Sequence, residues 1–330
     1  MSLSPWQQHD DAFQAVIGPG PELRALLEVS EYPFAHEAGV FIAETDELFI
    51  TSNQLIDSSG TRKVQINKCQ LNRQTGCLSR EEIPNEMIHM GNGGVNYEDG
   101  ILFCAQGSMT EPSGLFKMER KAPYTTTPVV TSFLGRPFNS VNDVVVHSDG
   151  SIWFTDPIYG FEQGYRPRPS LPNQLYRYDP ATRGIRAMAD GFSRPNGLCF
   201  SPDEKTLYVT DTDRVHGDGS FDSHRVSSIY AMDVVFYHGQ PSLVNRRLFA
   251  MADAGIPDGI KCDMEGNVYS GCGDGVNVWS PGGVLLGKVL VKGGCANFCF
   301  GRGGELFILN EKRLWHAQLA PTVKSALLRI

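Results

Sequence analysis

Six oxygen-bearing side chains, Glu37, Asn92, Asn142, Asn196, Asp258 and Asn297, each stand ten to twelve residues ahead of an aromatic in a short apolar run. The aromatics are Phe49, Phe103, Trp153, Tyr208, Tyr269 and Phe307. Carboxylates and amide carbonyls are hard ligands, suited to Ca²⁺ or Mg²⁺ and less to zinc, which prefers His and Cys. Six such oxygens returned in phase predict a ring around one divalent metal ion. Glu37 and Asp258 would balance its charge, and Asn142 and Asn196 would complete the protein's share of the shell. Any one of these residues could equally be a turn former at a strand start. The phase of all six carries the expectation.

The elements that must position such a ring follow from the same spacing. Successive aromatics lie 54, 50, 55, 61 and 38 residues apart, close to the period of about 40–50 that marks propeller blades. Within a unit, an apolar run, a polar turn and the aromatic run follow one another. Asp143-Val144-Val145-Val146, Ser148-Asp149-Gly150 and Ser151-Ile152-Trp153-Phe154 are one example, and the segments 197–209 and 259–269 repeat it. This is hairpin chemistry. It predicts an all-β chain, a single six-bladed β-propeller over residues 1–330 with four-stranded antiparallel blades. Residues 1–12 are expected to be a peripheral or poorly ordered segment. Ring closure requires a strand from one terminus to complete the blade begun by the other, so a segment within residues 13–29 is expected to join the blade of Phe307 and Trp315.

Direction can be argued too. If Asn142 starts a strand at one rim, the returning strand brings Asp156 back to that rim, and Asn196 shares its rim with Asp211 in the same way. The connections 158–173 and 212–226 leave from there and are long enough to form a lid.

Composition narrows the partners. A net charge of -8 with no basic run argues against nucleic acid or an anionic membrane surface. No apolar stretch reaches the roughly 20 residues of a spanning helix, and residues 1–20 lack the apolar core of a signal peptide; the expected location is cytoplasmic. Eight cysteines include no C-x-x-C pair, and several sit within predicted strands as buried free thiols. Cys295 and Cys299 stand out because both flank Asn297.

The segments Phe34-Ala35-His36-Glu37-Ala38, Asn139-Ser140-Val141-Asn142-Asp143, Trp153-Phe154-Thr155-Asp156-Pro157, Arg194-Pro195-Asn196-Gly197-Leu198 and Pro257-Asp258-Gly259 resemble the signature segments of the SMP-30/gluconolactonase family, nearest to its lactonohydrolase and gluconolactonase branches. The resemblance runs through about residues 31–315. It implies a six-bladed propeller with a central Ca²⁺-type ion, hydrolysing sugar lactones or related esters. Glu37, Asn142, Asn196 and Asp258 would be the metal ligands, with Asn92 and Asn297 left to substrate or to the ligands' surroundings. Two departures stand out. Val141 replaces the usual Pro, and the Arg often found just before that motif is displaced to Arg136.

Such an ion would polarise a lactone carbonyl and stabilise its oxyanion. Calcium acidifies water weakly, so a base is still required, Asp258 first and Glu37 as the alternative. His36 should face away from the ion, since neighbours on a strand point to opposite sides. Asp156, Tyr165 and Arg166, at the rim or in the first lid segment, are the expected contacts to a small-molecule lactone. Mg²⁺, Mn²⁺ or Zn²⁺ could also enter an oxygen site. There is no G-x-S-x-G elbow and no βαβ periodicity, which excludes a serine hydrolase of that type and a dinucleotide enzyme. The rival readings are a phosphotriesterase on the same scaffold and a non-catalytic binding propeller.

Overall fold

A computed structural model describes residues 4–57 and 60–330. The predicted hairpins form where turn chemistry permits. In the third unit Val144–Val146 pairs antiparallel with Ile152–Asp156. The chain reverses where Gly150 takes φ +84° and Asp149 Oδ1 accepts the Ser151 N–H at 2.8 Å.

Six antiparallel sheets follow in chain order as blades 1 to 6. Their innermost strands are Glu37–Ile42, Gly91–Tyr97, Val144–Val146, Pro195–Phe200, Ile260–Cys262 and Asn297–Phe300. Each aromatic run lies on the second strand, as in Glu47–Thr51 of blade 1 and Thr206–Asp211 of blade 4. Blade 6 is completed from the other end of the chain. Glu22–Glu28 pairs with Arg313–Gln318, the closure expected for residues 13–29. Residues 1–3 lie outside the described ones, but Trp6–Gln8 does not hang loose. It pairs with Leu285–Leu290 as a fifth strand on blade 5.

The core is distributed between blades. Trp153 meets Phe200 of blade 4 edge-on, with centroids 5.5 Å apart, and Tyr269 meets Phe300 of blade 6 in the same way at 5.1 Å. Five of the six second-strand aromatics thus fill the wedge toward the following blade, whereas Phe103 packs back against Phe49 and its neighbours in blade 1. Among the described residues no helix is long and apolar enough to cross a membrane.

A polar device accompanies the aromatics. Two residues beyond Phe49, Trp153 and Tyr208 stand Thr51, Thr155 and Thr210, all fully buried. Each hydroxyl donates to the backbone carbonyl of the next blade's ring residue, at Asn92 (3.1 Å), Asn196 (2.7 Å) and Asp258 (3.0 Å). These bonds set the height of adjacent blades at the rim where the ring residues sit. Thr155→Val keeps the shape but strands that carbonyl and the Asp143 N–H that Thr155 also accepts. It should cost about 1–3 kcal/mol in urea unfolding, with Thr155→Ser recovering most of it.

Candidate metal and substrate site

All six ring residues stand at the rim end of an innermost strand, either within its first two positions or two residues before it. Five of them, Glu37, Asn92, Asn142, Asn196 and Asp258, line one cavity of about 180 Å³ at the centre of the ring. Asn297 stands behind it, donating from Nδ2 to Glu37 Oε2 at 2.7 Å. Its own Oδ1 accepts the Phe298 N–H, so its amide is fixed.

Burial and charge define what the cavity wants. Burial raises the Glu37 carboxyl above its ordinary range, and it raises Asp258 well above its own, with the Glu37 charge adding to the effect. Two carboxylates in one buried space resist ionising together. The Oδ1 atoms of Asn92, Asn142 and Asp258 are buried and, among the described residues, accept no hydrogen bond. Unpartnered oxygens of this kind are costly unless something outside the protein meets them. A hard divalent cation would satisfy all of these demands, and the donors present fit one. Among the described residues no cluster of three His, Cys, Asp or Glu side chains is placed to hold a metal, so the amide oxygens are needed to complete the set.

Sequence reasoning places His36 on the opposite face, but it lines the cavity. Ala38 and Gly39 take φ +67° and +75°, and the pairing of blade 1 shifts register between Ala38 and Val40. Strand alternation therefore does not hold at this end. His36 Nδ1 lies 2.7 Å from Glu311 Oε1, and Asn53 Nδ2 donates to Glu311 Oε2 at 3.1 Å. Burial alone would lower the imidazole, but the Glu311 carboxylate lifts it to about 9.

The rim residues turn inward to the backbone. Asp156 does not line the cavity. It accepts the Asn139 and Ser140 N–H groups at 2.9 and 2.8 Å. Asp211 accepts those of Ser193 and Arg194 at 3.0 and 2.9 Å. Each Asp therefore pins the segment just ahead of a ring asparagine, Asn142 or Asn196. Arg166 is also occupied within the protein, donating to the carbonyls of Asn139, Ser108, Glu111 and Phe138 at 2.6–2.8 Å. The Tyr165 hydroxyl bonds Gln106 Oε1, a cavity-lining group. Tyr165 and Arg166 thus fasten the first long connection and Asp156 fastens the segment ahead of Asn142; none of the three lines the cavity.

Both long connections contribute to the cavity wall, the first through Tyr159 and Gln163 and the second through Val215, His216 and Gly217. Gln163 of the first accepts from Gln54 of blade 1 at 2.5 Å. Arg194 joins the two loops by pairing with Glu162 and Asp213, and the Gly217 N–H donates to Glu162 Oε2 at 2.9 Å. Beneath them, seven carboxamide side chains line the cavity: Asn53, Gln54, Asn92, Gln106, Asn142, Gln163 and Asn196. Such a wall offers paired donors and acceptors to a small polar molecule.

A sequence profile described as "SMP-30/Gluconolactonase/LRE-like region" matches residues 65–310. The chain belongs to the SMP-30/gluconolactonase/LRE-like family. A lactonohydrolase of Aspergillus oryzae is 30% identical over 318 residues, covering 89% of this chain and 69% of that protein. A gluconolactonase of Zymomonas mobilis is 32% identical over 195 residues, 54% of this chain and 50% of its own length. A solved structure described as a gluconolactonase from Xanthomonas campestris superposes with a TM-score of 0.75 at 28% identity, over 96% of this chain and 95% of that one. The family resemblance and the six-bladed propeller expected from the sequence are thereby confirmed.

Proposed function

We propose that the protein is a metal-dependent lactonase that opens the ring of a sugar lactone. The observation that carries this reading is the convergence of Glu37, Asn142, Asn196 and Asp258 on one cavity, where two of their oxygens lack partners. That cavity lies in a chain whose relatives include a lactonohydrolase and a gluconolactonase. These four residues would hold the ion, with Ca²⁺ the first choice for an all-oxygen set. When bound, it supplies Lewis-acid polarisation of the lactone carbonyl and charge stabilisation of the oxyanion.

The chain's own residues do the rest. Asp258 takes the proton of the attacking water at its carboxylate; Glu37 is the alternative base. Asn297 holds the Glu37 carboxylate in one orientation. Asn92 presents an unpartnered carbonyl oxygen to a substrate hydroxyl. The two loops limit access of bulk water. At about 180 Å³ the cavity is smaller than the roughly 300–1,000 Å³ of pockets for drug-sized ligands. Its amide lining favours a compact, hydroxylated lactone over a bulky apolar ester.

The test is a set of parallel assays with gluconolactone, pantolactone and a phosphotriester, with Ca²⁺ and with chelator. Calcium-dependent turnover of a lactone is the expected result; turnover of the phosphotriester alone would overturn the reading. Asn297→Ala should weaken Ca²⁺ binding by about 10–100-fold, the usual cost of losing a group that orients a ligand. Calorimetric titration measures this directly, and unchanged affinity would remove Glu37 from the set.

A further inference from the structure

Blades 4 and 5 approach so closely that a Cβ on Gly197 would stand 2.5 Å from the Asp258 carbonyl oxygen. The residues that follow on the two innermost strands are therefore brought together. Cys199 Sγ and Cys262 Sγ lie 3.6 Å apart, although 63 positions separate them in sequence. Sequence spacing singles out Cys295 and Cys299 instead, yet these face different packing clusters, and Cys295 Sγ contacts the Asn297 carbonyl at 3.0 Å. Seven of the eight cysteines are buried, and Cys77 is exposed.

Cys199 and Cys262 also line a second cavity, at the other end of the innermost strands, where residues 325–329 cross the ring. The Ala326 N–H donates to the Cys262 carbonyl at 2.9 Å. The cavity's walls include the exposed residues Leu327 and Arg329. Its volume of about 60 Å³ is several times the roughly 10–15 Å³ that one water requires. A peroxide of two heavy atoms fits there; a bulky disulfide reagent does not.

We propose that Cys199 and Cys262 form a dithiol modification site that a small peroxide oxidises to a disulfide joining blades 4 and 5. Cys199 is the more accessible of the two, at 7% against 2% exposure, so the first attack falls to Cys199. The Cys199 sulfur attacks one peroxide oxygen; an S–O bond forms, the O–O bond breaks, and the departing oxygen leaves as water with the thiol proton. The Cys262 sulfur then displaces the hydroxyl from the resulting sulfenic acid, which leaves as a second water with the Cys262 proton. Two electrons pass from the two sulfurs to the peroxide. The final bond of about 2.05 Å requires the sulfurs to close by roughly 1.5 Å, within reach of side-chain rotation and a small strand shift. The same strands carry Asn196 and Asp258 near their other ends, so the link would tie together two walls of the upper cavity. The proposal stands independently of the lactonase reading.

The test treats the full chain with hydrogen peroxide at the lowest level that oxidises exposed Cys77, alkylates free thiols after unfolding, and maps peptides without reduction. A cross-linked peptide containing Cys199 and Cys262, released by dithiothreitol, is the expected result. In Cys262→Ser the cross-link should vanish and Cys199, once unfolded in the presence of dimedone, should be trapped as its sulfenic acid. Alkylation of both residues as free thiols while Cys77 is oxidised would overturn the proposal. So would their conversion to sulfinic acid without a cross-link.

Discussion

Asp258→Asn should lower kcat on the preferred lactone by about 10²–10⁴-fold, the range contributed by a positioned general base. The amide keeps the size and one oxygen of the carboxylate, so it can still face an ion, but it cannot take a proton from water. Asp258 Oδ1 accepts no hydrogen bond among the described residues, and burial together with the Glu37 charge favours protonation at this position. A proton acceptor there is therefore not already engaged by a neighbour. The measurement is steady-state kinetics at saturating Ca²⁺, which separates lost chemistry from lost occupancy. Wild-type kcat in Asp258→Asn with tight Ca²⁺ binding would move the base to Glu37; a rate restored only by added metal would make Asp258 a ligand alone.

The second large effect concerns stability. Glu37 and Asp258 are both raised by burial, and Asp156 is raised by burial to about 7. Groups whose folded values exceed their unfolded ones bind more protons when folded. Their contribution is fully present below the unfolded carboxylate range near 4 and is lost as pH rises through the folded value. Metal-free protein should thus lose stability between about pH 4 and pH 7 on account of Glu37 and Asp156, with Asp258 acting in the same direction. The loss is about 1.4 kcal/mol for every tenfold by which folding strengthens a group's hold on its proton. Calcium should reverse the part due to Glu37 and Asp258, because it binds their deprotonated forms. At free Ca²⁺ about 100 times Kd the gain is about 2.7 kcal/mol. Thermal melts with chelator and with Ca²⁺, at about pH 5 and about pH 8, should show the wider gap at the higher pH. Equal melting temperatures with and without Ca²⁺ at both would remove the ion from this cavity.

Much of this was legible because a propeller repeats one hairpin six times. The phase of Glu37 to Asn297 survives variation in loop length, and each member reaches the same rim. The threonines two residues beyond Phe49, Trp153 and Tyr208 were legible in principle as well, since they share that phase. Side-chain direction was not. Asp156 was correctly brought to the rim, but its carboxylate turns to the Asn139 and Ser140 amides, a choice set by how the next loop lies. Arg166 looks free in a Gly-rich loop, yet backbone carbonyls from two neighbouring segments, 108–111 and 138–139, occupy it. His36 escaped because alternation presumes regular pairing, and the positive-φ pair Ala38 and Gly39 breaks it. Trp6–Gln8 is too short and too polar to announce itself as a strand.

The seam at which the ring closes runs through the cavity wall. Glu37 begins blade 1, while its orienting partner Asn297 and the His36 partner Glu311 belong to the last units of the chain. Blade 6 also takes its outer strand from residues near the start. During synthesis, Glu37 therefore emerges long before the residues that hold it in place, and contacts of such sequence separation form late. Acquisition of the proposed ion would then report completion of the whole circle and would make cation binding a natural clock for the final step of folding.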